Sequence, residues 1–136
     1  MSQELFDISI IFCLHFVGDF LLQSRNMGRN KGKSILWLFA HVFVYTTFLF
    51  WGWSSFIGFS EYSFYVMFGV YHLIFITHFL TDLITSKISG YAYIKCTDNN
   101  LSKKLKYRWE YMFWSIIGLD QLIHIISLIL IYNYLN

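Results

Sequence analysis

The sequence has 136 residues, of which 57% are hydrophobic, 13% are charged and none is proline; its formal net charge is +2. A soluble domain of this size leaves much of its surface in contact with water, so it cannot bury this much apolar side chain in one core. The composition therefore excludes an ordinary soluble globular domain. It predicts one integral membrane domain covering residues 1–136, with membrane lipids as partners and no nucleic acid.

Four stretches are long and apolar enough to be membrane-spanning helices. They cover about residues 6–22, 35–59, 62–85 and 112–132, and they predict an all-α, integral membrane four-helix bundle. The first stretch is short and polar enough that a tilted or partly inserted helix is an alternative. It is not expected to be a signal peptide, because an acidic segment precedes it where a basic one is needed.

The basic residues indicate the topology. All ten Lys and Arg lie in two connecting segments, about residues 23–34 and 86–111, whereas the opposite side carries only Glu4, Asp7 and Glu61. The positive-inside rule then places both segments in the cytoplasm as loops and both termini outside. The positive-inside rule is also sufficient to explain the basic residues from Arg25 to Lys33, because no loop motif there indicates phosphate binding. In the second loop, Asp98-Asn-Asn predicts a turn, and residues 101–112 predict an interfacial helix.

Cysteine usage predicts no disulfide. Cys13 lies within the first span, and Cys96 lies in a loop on the side that is normally reducing. We treat both as ordinary small residues.

Three of the spans each hold a histidine and an aspartate four residues apart. The pairs are His15–Asp19, His78–Asp82 and Asp120–His124. Residues i and i+4 share one face of a helix, so each pair aims both side chains in one direction. The order of the pair reverses in the fourth span, which runs opposite to the first and third. Each aspartate is therefore expected nearer the cytoplasm and each histidine one turn deeper, as in one layered site.

The donor types indicate a metal. A carboxylate at bilayer depth is costly without a positive partner, and no Lys or Arg lies within a span, so a proton or a metal cation is expected. Imidazole and carboxylate suit Zn²⁺ best, with Fe, Mn²⁺ or Ni²⁺ as alternatives, as one or two ions. The predicted ligands are His15, Asp19, His41, His78, Asp82, Asp120 and His124.

Two glutamines and one further histidine complete the set of polar residues that we singled out. Gln23 lies one turn beyond Asp19 and Gln121 adjoins Asp120, so each is expected to position a water or hold a ligand. His72 points elsewhere on its helix and is predicted to be structural. A non-metal interpretation also remains open, because polar side chains in spans often serve only as hydrogen bonds between helices.

The ordered set of motifs resembles the family called domain of unknown function 3307 (DUF3307). The resemblance rests on His15-x-x-Gly-Asp-Phe-x-Leu-Gln23, Asn30-Lys-Gly-Lys-Ser34 with His41, His78-x-x-x-Asp82 and Asp120-Gln-x-x-His124. It implies a small integral membrane protein of bacteria or their phages, placed in the bacterial inner membrane, and it implies no established activity. The His-x-x-x-Asp pattern is also similar to that of membrane-bound metal-dependent hydrolases, by analogy only.

The leading hypothesis is a metal-dependent hydrolase that acts on a lipid-linked or membrane-partitioned substrate. The metal would acidify a bound water, and Asp19, Asp82 or Asp120 would act as ligand or base. One alternative is a proton- or metal-ion-transporting bundle, which would require a homo-oligomer. Two others are a di-iron oxidoreductase, although its usual Glu-x-x-His motif is absent, and a non-catalytic structural protein.

Overall fold

The computed structural model describes residues 2–58 and 62–135, so the predicted span end at Phe59 and the acidic Glu61 lie outside the described residues. Within those ranges the chain is all-helical and contains no strand. The helices are α1 (Gln3–Phe16), α2 (Arg25–Asn30), α3 (Ile35–Trp53), α4 (Phe64–Thr97) and α5 (Lys103–Leu135).

Serine side chains cap the starts of three helices. Ser2, Ser24 and Ser63 each accept a hydrogen bond from the backbone N–H three residues further on, at 3.4, 3.2 and 3.4 Å. Such a bond satisfies one of the N–H groups that the first turn leaves without a helical partner. The starts of α1, α2 and α4 are therefore fixed by local sequence.

Two helices continue as π-helical turns. The turn Val17–Leu21 extends α1, and the turn Ser54–Gly58 extends α3. In the first turn, the Leu22 N–H donates to the carbonyl of Val17 at 3.0 Å, five residues back. Single π turns are frequent at functional sites, and this one contains Asp19.

Three helices are long and apolar enough to cross a membrane: Ile35–Ile57, Phe64–Thr97 and Lys103–Leu135. They overlap the second, third and fourth predicted spans, and the last two helices extend well beyond those spans toward the turn that joins them. The first predicted span corresponds to α1 and its π turn, which is not among the three within the described ranges.

The segment expected as a long cytoplasmic loop is mostly helical. α4 continues through residue 97 and α5 begins at residue 103, so only a five-residue turn separates them. The turn contains Asp98, whose side chain accepts from the Asn100 N–H at 2.9 Å. Residues 101–112 do not form a separate interfacial helix, because from Lys103 onward they belong to α5, which continues unbroken. The cause lies in the sequence, which has no proline to end either helix.

The apolar core lies at one end of the bundle and the polar site at the other. Ile11, Leu14, Leu49, Ile74 and Leu128 form the centre of this core, with contributions from α1, α3, α4 and α5. Leu14 adjoins His15, and each of the others lies about one or two turns from a histidine of the predicted site on the same helix. The core therefore packs the four helices in a register that directs their histidines inward.

Candidate metal centre

The first group of donors joins α1, α3 and α4. His41 Nε2 lies 3.0 Å from Asp19 Oδ1 and 3.3 Å from His78 Nε2, and His78 Nε2 lies 3.8 Å from Asp19 Oδ1. A tetrahedral metal ion about 2.1 Å from each donor would hold its donors about 3.4 Å apart. The three donors already approximate one face of such a tetrahedron.

The second group joins α4 and α5. Asp82 lies between two imidazoles, with its Oδ2 3.6 Å from His78 Nε2 and its Oδ1 3.5 Å from His124 Nε2. The rings of His78 and His124 stack with centroids 3.9 Å apart. His78 belongs to both groups. Because one imidazole nitrogen has one lone pair, the Nε2 of His78 can ligate one ion at a time.

Several buried donors in these groups have no hydrogen bond. Asp19 Oδ1, Asp82 Oδ1 and His124 Nε2 are fully buried and form none with any described residue. Asp19 Oδ1 lies close to His41 Nε2, but this contact does not have the geometry of a hydrogen bond. Leaving buried charged or polar atoms unsatisfied costs on the order of 1–3 kcal/mol each, so an additional partner is needed.

Lys31 supplies a positive charge that the sequence analysis did not expect. Its Nζ lies 2.9 Å from Asp82 Oδ2 and 3.5 Å from His41 Nε2. Burial alone would lower the pKa of Lys31, but the carboxylates of Asp82 and Asp19 outweigh that effect and raise the pKa above its ordinary value of 10.5. The expectation that only a proton or metal could offset these aspartates was therefore incomplete. A long flexible side chain reaches in from the loop after α2.

His15 is adjacent to both groups, but both of its ring nitrogens are engaged. Its Nδ1 lies 2.8 Å from the Tyr45 hydroxyl, and its Nε2 lies 3.0 Å from Gln121 Oε1. His15 is therefore not among the residues whose donor atoms converge. In this arrangement the imidazole supports its neighbours through hydrogen bonds.

Asp120 lies beside the two groups and is held by hydrogen bonds on both oxygens. Thr85 Oγ1 donates to its Oδ1 through a short hydrogen bond, and Gln121 Nε2 donates to its Oδ2 at 3.1 Å. Gln121 also donates to Asp19 Oδ2 at 2.6 Å. The amide of Gln121 thus connects Asp19, Asp120 and His15, as expected for a residue that positions ligands.

Gln23 lies beside His41, and His72 lies away from the donor groups. Gln23 Nε2 lies 3.2 Å from His41 Nδ1 and 3.3 Å from His41 Nε2, so it contacts both ring nitrogens. His72 is exposed, and its Nδ1 lies 2.8 Å from the backbone carbonyl of Phe68. His72 therefore has no part in the buried groups and serves as a natural control.

A cavity of ≈ 730 Å³ opens next to the carboxylates, at the end of the bundle that carries the basic segments. Asp19, Asp82 and Asp120 line this cavity, whereas the four site histidines do not. The histidines therefore lie one layer further from the opening than the aspartates. The reversed order of histidine and aspartate in the motif of α5 predicted the same arrangement of the two residue types.

A family comparison agrees with the sequence motifs. The model of the family described as protein of unknown function (DUF3307) matches residues 8–136, nearly the whole chain. The chain belongs to this family. No curated protein and no solved structure matches it. Since the DUF3307 description assigns no activity, functional inference rests on the site itself.

In this DUF3307 chain, two sets of three buried residues could hold a metal ion. With neutral histidines, the three aspartates and Lys31 carry a formal net charge of −2, which one divalent ion would neutralise. The unsatisfied oxygens of Asp19 and Asp82 would gain a partner at the same time.

Sequence analysis missed Lys31, Tyr45 and Thr85. Tyr45 lies one turn beyond His41, and Thr85 lies three residues after Asp82, so helical spacing placed both near the site. Neither residue type is a usual metal ligand, so neither residue was predicted to belong to the site. Lys31 gave no periodic signal, because it lies in a turn and not within a span.

Proposed function

We propose that the protein is a membrane-embedded, metal-dependent hydrolase whose substrate is lipid-linked or partitions into the membrane. The observation that carries the metal is the presence of two sets of three converging donor residues, in which Asp19 Oδ1, Asp82 Oδ1 and His124 Nε2 form no hydrogen bond within the described ranges. The adjoining cavity supports a substrate, because it gives these donors access to a molecule from outside.

The membrane part of this proposal is a four-helix bundle in which α1 accompanies the three helices that are apolar enough to span. Large hydrophobic side chains on the outer faces support it, such as Leu36 on α3, Phe64 on α4 and Leu130 on α5, all more than half exposed. Both basic segments then lie in the cytoplasm, with both termini on the other side.

The donor set favours zinc, held either by Asp19, His41 and His78 or by His78, Asp82 and His124. Bound there, the ion would lower the pKa of a water molecule toward neutrality. Gln23 next to His41 Nδ1 and Gln121 next to Asp19 would hold the ligands in orientation. His15 would support Gln121 through the hydrogen bond between them.

Asp120 is the best-placed general base. It lines the cavity, lies outside both donor groups and is oriented by Thr85 and Gln121. In the proposed step, the water oxygen forms a bond to the electrophilic atom of the substrate ester while Asp120 accepts the water proton. The ester bond breaks, and the leaving oxygen takes up that proton from Asp120.

The packing behind the histidines favours hydrolysis over ion transport. A transport path needs polar groups along the whole bundle, but the core beyond the histidines is built from Ile11, Leu14, Leu49, Ile74 and Leu128 together with aromatic side chains. This apolar core packs against the site on the side away from the cavity. The cavity itself suits a substrate that enters and leaves by the same route.

Elemental analysis of the detergent-purified protein tests the metal. We expect one equivalent of a divalent transition metal in the wild type and in His72→Ala, and strongly reduced metal in His78→Ala and Asp82→Asn. A wild type without metal after growth in supplemented medium would refute the proposed function. Correct folding of each variant is checked by its helical circular dichroism and its elution in size-exclusion chromatography.

Turnover is tested separately with Asp120→Asn, which keeps the shape of the side chain. Metal-loaded protein is incubated with a bacterial polar lipid extract in mixed micelles, and products are followed by mass spectrometry. We expect products from the wild type and a loss of at least about 100-fold in Asp120→Asn, because general base catalysis contributes about this much. Metal content should remain unchanged in that variant.

A further inference from the structure

The cavity has a basic rim in addition to its carboxylate floor. Asp19, Asp82 and Asp120 form the acidic part, next to the donor groups described above. The basic side chains that line the same cavity are Arg29, Lys31, Lys33 and Lys87. Carboxylates and cations thus line one opening, and the carboxylates belong to or adjoin the candidate donor groups.

The rim is built by a backbone contact between two segments. A Cβ atom on Gly32 would lie 2.6 Å from the carbonyl oxygen of Ser86, so the turn after α2 packs directly against α4. Lys31 and Lys33 flank Gly32 in sequence, and Lys87 follows Ser86. The contact therefore brings basic residues from two distant segments to one side of the cavity.

Three of these four cations have no anionic partner among the described residues. Lys31 is paired with Asp82. Arg29, Lys33 and Lys87 form no ion pair within the described ranges, although aspartates line the same cavity. They are therefore available to an anion that enters the cavity.

The wall contributed by α5 is apolar. Phe113, Ile116 and Ile117 line the cavity below Asp120 and Gln121, and each is only partly buried. A ligand that fits both walls has an anionic end and a hydrophobic end. This is the chemistry of an amphiphile with a charged headgroup.

We propose that the cavity binds a phosphate-bearing headgroup, held by Arg29, Lys33 and Lys87 against the metal centre. Phosphate is the anion that suits this set, because an arginine fork pairs with two of its oxygens while lysines act as point charges. The inference rests on the proposed hydrolase and narrows its substrate to a phosphate ester. Lipid headgroups and soluble phosphate esters share this chemistry, and the apolar wall favours the lipid.

The test uses the full-length protein in phosphatidylcholine nanodiscs. Binding is measured by calorimetry with short-chain phosphatidate for the lipid source and with glycerol 3-phosphate for the soluble source. The rim variant carries Arg29→Gln, Lys33→Gln and Lys87→Gln. The matched control carries Lys103→Gln, Lys104→Gln and Lys106→Gln, which removes three charges from the start of α5, outside the cavity lining.

We expect the rim variant to bind phosphatidate at least about tenfold more weakly than the wild type, and the control to bind within about twofold of it. Binding of phosphatidate without glycerol 3-phosphate assigns the lipid as the source, and the converse assigns a soluble ester. Equal weakening of phosphatidate binding in both variants overturns the inference, because the loss then reflects the net charge of the protein and not the rim residues. Absence of phosphate binding in the wild type overturns it as well.

Metal content is measured on the same samples, and it separates this inference from the proposed function. If the metal content is intact but phosphate binding does not depend on the rim residues, the phosphate headgroup is refuted and the proposed hydrolase is not. Absence of metal together with rim-dependent phosphate binding refutes the hydrolase and supports the phosphate site alone.

Discussion

Lys31 Nζ lies 2.9 Å from Asp82 Oδ2, although the two residues are 51 positions apart in the sequence. Asp82 is fully buried, and the Lys31 side chain is 15% exposed. The contact links the basic turn after α2 to the centre of α4. Lys31 is therefore an internal cation that shares the Asp82 carboxylate with the candidate metal donors.

Substitution Lys31→Met is expected to destabilise the metal-free protein by about 3 kcal/mol, because it leaves the Asp82 carboxylate buried without its charged partner. Metal should restore more stability to this variant than to the wild type. The measurement is thermal unfolding in detergent with a chelator and then with Zn²⁺. Lys104→Met, at an exposed position, is the control. Equal unfolding temperatures for Lys31→Met and wild type would contradict the prediction.

The same ion pair predicts a loss of stability at high pH. The pKa of Lys31 is raised in the folded protein, so its contribution is fully present below the ordinary value of 10.5 and is lost as pH rises through the folded value. Denaturant unfolding of wild type and Lys31→Met should therefore differ by a constant amount from about pH 7 to 10. The difference should narrow above that range, and a constant difference up to pH 12 would count against it.

Gly32→Ala should move the turn that carries Lys31. The added Cβ would lie 2.6 Å from the Ser86 carbonyl oxygen, and a backbone atom cannot yield as a flexible side chain does. We expect a loss of about 1–3 kcal/mol in unfolding free energy. Gly69→Ala is the matched control, because nothing lies within 4 Å of its added Cβ and alanine favours a helix. A stable Gly32→Ala variant would disprove close packing at this contact.

His15→Ala should weaken metal binding without abolishing it. His15 contacts Gln121 and Tyr45 and is not one of the converging donors, so its loss acts through the orientation of its neighbours. The expected loss of affinity is about 10- to 100-fold, measured by competition with a zinc chelator dye. His78→Ala should lose binding, and His72→Ala should match the wild type. If His15→Ala binds as poorly as His78→Ala, His15 is a ligand, as the sequence analysis predicted.

Tyr132→Phe should affect stability and leave the metal centre intact. The Tyr132 hydroxyl donates to Asp7 Oδ2 at 2.9 Å, and the Gln3 amide donates to Asp7 Oδ1 at 2.8 Å. Loss of the hydroxyl should cost about 1–3 kcal/mol because Asp7 is buried. Tyr134→Phe, at an exposed position, is the control. Lower metal content in Tyr132→Phe, measured by elemental analysis, would contradict the separation of the two ends.

Patterns along single helices were predictable from the sequence. The four-residue spacing of histidine and aspartate is a local property, so it placed Asp82 below His78 and Asp120 beside His124 before any tertiary structure was known. Apolar runs likewise located α3 and the membrane-length parts of α4 and α5. Reversal of the motif order with chain direction carried the one piece of three-dimensional information that the sequence offered.

Contacts between segments were not predictable in this way. His15 and His41 look equivalent in the sequence, but the neighbours differ: His15 meets Tyr45 and Gln121, whereas His41 meets Asp19 and His78. In the sequence, Lys31 was interpreted only as one of the basic residues that indicate topology. Its side chain points inward because Gly32 packs against α4, and the sequence does not show that contact. These outcomes depend on partners more than 20 residues away.

The π-helical turn at Val17–Leu21 has a consequence for how the chain tolerates changes in length. A turn of this kind contains one residue more than the α-helix would need, so deleting Phe20 would leave every polar residue of the site in the sequence. The shortened segment would close as ordinary α-helix and keep the residues after it at about the same angle to α1, because five residues in a π turn and four in an α-helix each cover little more than one turn. Gln23 would then still face His41. The same deletion within α1 would instead rotate the residues on its two sides by about 100° relative to each other, so the π turn is the place where this helix tolerates the loss of a residue.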